Sequence, residues 1–94
     1  MTERGYTATK QQLQTRLSRI EGQVRGVSKM VDEDRYCIDV LTQISAVRAA
    51  LDKVALGLLE GHTRHCLAGG HGGPTDPDDQ AAELMGAVGR LLTR

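Results

Sequence analysis

CIDVLTQISAVRAALDKVALGLLEGHTRHC, residues 37–66, carries apolar side chains at Val40, Ile44, Val47, Leu51, Val54 and Leu58. The steps alternate four and three, the period of a helix face packed against another helix. One helix over about residues 35–66 follows, and it holds Cys37, His62 and Cys66. His62 and Cys66 stand four apart and project from one face as neighbours. Cys37 lies 25 positions before His62. At about 1.5 Å of rise per residue, that is roughly 37 Å along the axis. A single chain therefore cannot bring all three to one ion. An antiparallel copy of the helix sets its Cys37 level with His62 and Cys66 of the first, and two-fold symmetry makes the same site twice. The stretch points to a homodimer with metal sites built across its interface.

The donor chemistry narrows the metal. Two thiolates and one imidazole form a soft three-coordinate set suited to Cu(I), whereas Zn(II) prefers a fourth ligand in a tetrahedron. His65 is the neighbouring candidate for that place, but on a continuous helix it points about 100° away from Cys66. Free cysteine also packs as a small buried hydrophobe, so a core Cys37 with a surface His62 stays open on the residues alone.

Outward from this helix, Leu13, Leu17, Ile20, Val24, Val27 and Val31 repeat the four and three spacing and predict a first helix over about 9–31. Asp32, Glu33 and Asp34 interrupt the pattern and offer caps for the helix that follows. Gly57 and Gly61 weaken the last third of the second helix by up to about 1 kcal/mol each. They either admit a close helix approach or serve no packing purpose at all. Residues 68–75, rich in glycine, read as a loop. Beyond it Asp76 is an N-cap, Pro77 fits the first helical position, and Asp78 and Asp79 suit the positive end of the dipole. The third helix covers about 77–92, with Leu84, Val88 and Leu91 as its apolar edge. No period-2 apolar run appears. The fold class is all-α, one domain over residues 1–94 with a flexible lead-in over 1–8.

Ninety-four residues without Phe or Trp bury little surface alone, and oligomerisation is the expected remedy. No run of about 18 apolar residues is present, and the first residues lack the apolar region of a signal peptide, so the expected location is cytoplasmic. Two cysteines there are expected as reduced thiols. The net charge of zero hides an asymmetry, since residues 1–31 carry six bases against two acids. A basic first helix fits docking on phosphates and equally fits a solvated face. The glycines of 69–73 lack the lysine of a phosphate loop, and thin helical packing offers no enclosed pocket for a Cys–His nucleophile. An enzyme is not expected.

The run RLSRIEGQVRGVSKMVDEDRYCIDVLTQISAVRAAL at 16–51, followed by GHTRHC at 61–66, strongly resembles the copper-sensitive operon repressor (CsoR) family of bacterial transcription regulators. The likeness covers about residues 10–92, and Tyr36-Cys37 with His62-x3-Cys66 is its copper-type pattern. The resemblance implies a three-helix protomer, an antiparallel four-helix dimer and a dimer-of-dimers tetramer. It also implies a repressor that binds operator DNA without metal and releases it on binding Cu(I), derepressing copper-resistance genes. One Cu(I) per protomer would sit between Cys37 of one chain and His62 and Cys66 of the other, with Tyr36 and Glu83 supporting the histidine. By the same likeness Arg16 and Arg19 of the first helix and Lys53 of the second contact DNA. Gln12 and Gln23 share the face of Arg16 and Arg19.

Sister groups use other residues. Nickel and cobalt sensors carry an N-terminal histidine and a histidine in place of Cys66, and residues 1–12 here contain none. Persulfide sensors lack the histidine matching His62. Formaldehyde sensors pair the first cysteine with an N-terminal amine, which no residue here specifically supports. A copper-buffering protein and a purely structural helical oligomer are the remaining alternatives.

Overall fold

The computed structural model describes residues 5–67 and 73–92, with backbone alone for Cys66 and Leu67. Three α-helices follow one another: α1 (Lys10–Asp32), α2 (Cys37–Leu67) and α3 (Pro77–Leu92). Among the described residues there is no strand, in keeping with the all-α expectation. Each helix begins and ends within two residues of its predicted bounds. Most of the expected 68–75 loop lies outside the described residues, as do residues 1–4 of the lead-in. From Gly5 the lead-in forms a turn and then a single 3-10 turn, Thr7–Thr9.

The chain divides into two compact units, Thr9–Leu56 and a second in which residues up to Ala8 join those from Gly57 onward. In the Thr9–Leu56 unit, α1 pairs with the first part of α2. Leu13 and Ile20 of α1 and Val54 of α2 are buried there, with Val47 and Ala50 packed against them. The apolar stripe of each helix thus splits into two lanes, each stepping by seven residues. One lane, with Leu13 and Ile20 facing Val47 and Val54, is used within the unit. The other, Leu17, Val24 and Val31 on α1 with Ile44 and Leu51 on α2, stays exposed: Val24 is 51% and Leu51 45% accessible.

The acidic trio does a different job from the one expected. Asp34 adopts φ 56°. Its amide donates to Val31 O, and the Arg35 amide to Met30 O. These are the two hydrogen bonds of a Schellman closure, with Asp34 in the left-handed position that glycine usually fills. Asp34 terminates α1, and the first turn of α2 is closed instead by the Tyr36 carbonyl, which accepts from Asp39 and Val40.

The start of α3 matches its sequence reading. The Asp76 carboxylate accepts from the Asp79 amide at 3.3 Å, its carbonyl from the Gln80 amide, and Pro77 opens the helix. Gln80 Nε2 donates back to Pro74 O. Together these fix the angle at which the chain enters α3.

Candidate metal centre and nucleic-acid interface

In the second unit, α2 presents His62 and α3 presents Glu83. His62 Nε2 donates to Glu83 Oε1 at 2.7 Å. The two side chains are 44% and 41% accessible, so the contact is half-wet and its worth lies in orientation more than in stability. The bond commits one ring nitrogen and fixes the plane of the imidazole, the role a carboxylate plays behind a metal-ligating histidine. Cys66 follows His62 by one helical turn on the same α2, and only its backbone is described. His65 lies between them, with its Nε2 buried and, among the described residues, without a hydrogen-bond partner.

Cys37 is the first residue of α2 and a free, exposed cysteine of the Thr9–Leu56 unit. Tyr36, beside it, is exposed as well. Of the residues predicted for the metal site, the structure joins His62 to Glu83. Among the described residues no three His, Cys, Asp or Glu side chains gather as a metal group. Helix α2 runs unbroken from Cys37 to Leu67, the condition under which one chain keeps these ligands apart.

The basic residues divide into two sets. Arg25 pairs with Glu21 one turn earlier, and Arg64 with Glu60, all on exposed surface. Among the described residues Arg16, Arg19 and Lys53 are exposed and make no ion pair. Gln12 and Gln23 are exposed too. These three are available to an outside anion, as are the likewise exposed Lys10, Lys29, Arg35, Arg48 and Arg90, whereas Arg25 is already engaged. No helix among the described residues is long and apolar enough to cross a membrane.

A family model described as metal-sensitive transcriptional repressor matches residues 9–90. The chain belongs to this family. Its members are regulators rather than enzymes, which agrees with the absence of catalytic motifs in the sequence. This metal-sensitive repressor is 53% identical over 90 residues to the copper-sensing transcriptional repressor RicR of Mycobacterium tuberculosis, covering 94% of this chain and 93% of that one. Its fold is similar to the crystal structure of the copper-sensing repressor CsoR with Cu(I) from Geobacillus thermodenitrificans, at TM-score 0.76 and 43% identity, over 96% and 92% of the two chains. The nickel-responsive transcriptional regulator InrS is similar at TM-score 0.73 and 45% identity, over 87% of the repressor and 91% of InrS. The fold is thus shared by sensors of different metals, and the metal must be argued from ligands.

Proposed function

We propose that this repressor senses Cu(I), binding operator DNA in its metal-free form and releasing it when Cu(I) binds. The observation that carries the reading is the His62–Glu83 hydrogen bond, because it ties an imidazole one turn from a cysteine to a different helix. The donor set fits the ion: Cys37, His62 and Cys66 supply two soft sulfurs and one nitrogen, which Cu(I) accepts without a fourth ligand. With Nε2 committed to Glu83, Nδ1 is the ring atom assigned to the metal. When bound, Cu(I) supplies a cross-link between thiolates and imidazole. The resemblance of these residues to the copper-type pattern and the copper-sensing relatives support the same choice.

The site is read as shared between protomers. The unused apolar lanes of α1 and α2 support an antiparallel dimer, since burying an exposed Leu, Ile or Val fully is worth about 1.5–3 kcal/mol. Each dimer then holds two coppers, one per protomer, and two dimers form the tetramer. Tyr36 is placed beside the ligand Cys37 in sequence and is assigned a supporting role with Glu83. The operator contacts are assigned to Arg16, Arg19 and Lys53, in a cytoplasmic protein.

Anaerobic Cu(I) titration followed by operator gel shift tests the reading. One Cu(I) per protomer, with thiolate-to-copper charge-transfer absorption and loss of the DNA complex, is expected. Copper binding without DNA release would make the protein a buffer, and release by nickel alone would make it a nickel sensor.

Two further results are expected. Arg16→Ala with Arg19→Ala weakens operator binding at unchanged copper stoichiometry, and the slope of log K against log salt falls by about 0.9 for each phosphate no longer neutralised. An unaltered salt slope would move the DNA face elsewhere. Glu83→Ala leaves Cu(I) bound but shrinks its effect on operator affinity, because the imidazole is no longer tied to α3. A coupling of about 1 to 3 kcal/mol corresponds to roughly 5 to 150-fold in affinity. Operator affinity with and without copper measures it, and full release by the variant would exclude this route.

A further inference from the structure

Gly5 and Gly61 cross without room for a side chain on either. A Cβ built on Gly5 would press on the Gly61 carbonyl oxygen and stand 2.6 Å from the carbonyl carbon and 2.7 Å from the Cα of His62. A Cβ built on Gly61 would stand 2.8 Å from the Gly5 carbonyl oxygen and 3.4 Å from the Cα of Tyr6. Every atom in the way is backbone, which cannot swing aside as a flexible side chain does. Neither glycine has a left-handed φ, so closeness of approach, not backbone conformation, is what excludes larger residues. Glycine is also a poor residue for the interior of α2, and the crossing gives Gly61 a reason to stand there. By contrast, Gly22 and Gly26 of α1 have open space where a Cβ would go.

The crossing falls on the backbone of His62, whose ring is held by Glu83. We propose that Gly5 and Gly61 are positioning residues for His62: the N-terminal segment fixes its Cα while Glu83 fixes its ring. This rests on the copper reading only for its consequence at the metal. An alanine at either position pushes the segment off α2 and loosens the residue between them. Ligand orientation errors of this kind cost metal affinity on the scale of a missing supporting hydrogen bond, about 10 to 100-fold.

The test uses the full chain as wild type, Gly5→Ala, Gly61→Ala, the double variant and Gly26→Ala. The first readout is the ring nitrogen and Nε2–H resonances of metal-free His62 at fixed pH. The hydrogen-bonded signal is expected in wild type and Gly26→Ala and is expected to shift or broaden in the other three, with helix content retained by circular dichroism. The second is Cu(I) affinity by competition, expected to fall about tenfold in each single variant. The double variant should be no weaker than either single one, because both remove one crossing. Wild-type resonances in Gly5→Ala and Gly61→Ala, or additive losses in the double variant, would overturn the proposal. Should wild type bind no Cu(I), the copper reading fails by itself, and the resonances of the metal-free protein still decide the crossing.

Discussion

Replacing Cys37 or Cys66 with Ala removes tight Cu(I) binding, a loss well beyond the 10 to 100-fold expected from a supporting residue. Metal-free operator affinity stays close to wild type, because neither cysteine belongs to the set of exposed, unpaired bases on α1 and α2. Thermal melting separates this from a packing role. A ligand that binds only the native state at 100 times its Kd stabilises by about 2.7 kcal/mol, so copper should raise the Tm of wild type and leave both variants where they are. Cys37 is exposed in the chain, and Cys37→Ala should melt near wild type without metal. A large drop in the metal-free Tm with copper still bound would reassign the thiols to packing.

Leu51→Lys is expected to abolish assembly and operator binding together. Within the Thr9–Leu56 unit Leu51 is 45% accessible, and a lysine at a surface position of a monomer changes stability by no more than about 0.5 kcal/mol. At the centre of an apolar seam between two copies the same ammonium is buried without a partner, at a cost of several kcal/mol per protomer. Val54→Lys, in the lane already used within the unit, should unfold the chain instead. Light scattering and circular dichroism on the two variants distinguish the lanes. An oligomer that tolerates Leu51→Lys would place the interface on another face.

What the sequence made legible was local or periodic. The start of α3 was readable because Asp76, Pro77 and the acids behind it act on amides within one turn. The helices were readable because a four and three repeat has one interpretation at that length. Asp34 was misassigned: both a cap for the next helix and a closure of the last one suit a short acid, and only the φ of 56° chooses. His62 and Glu83 are 21 residues apart on two different helices, so no spacing rule joins them, and the expectation came from family resemblance. Gly61 was flagged for a close approach, but by another helix. Its partner is Gly5, brought there by the turn before α1, and pairings so remote in sequence leave no periodic trace. The split of each stripe into a used and an unused lane was equally invisible, since both lanes are apolar.

The central claim is that each copper site takes Cys37 from one chain and His62 with Cys66 from another. Mixing tests it. Cys37→Ala and Cys66→Ala proteins, each lacking a complete site, are unfolded together, refolded and titrated anaerobically with Cu(I). A mixed dimer then contains one intact site, with Cys37 from the Cys66→Ala chain facing His62 and Cys66 of the Cys37→Ala chain, while its second site lacks both thiols. Charge-transfer absorption should return at about one copper per mixed dimer, although neither parent shows it. Mixed dimers that form and remain unable to bind copper would contradict the shared site and place all three ligands within one chain.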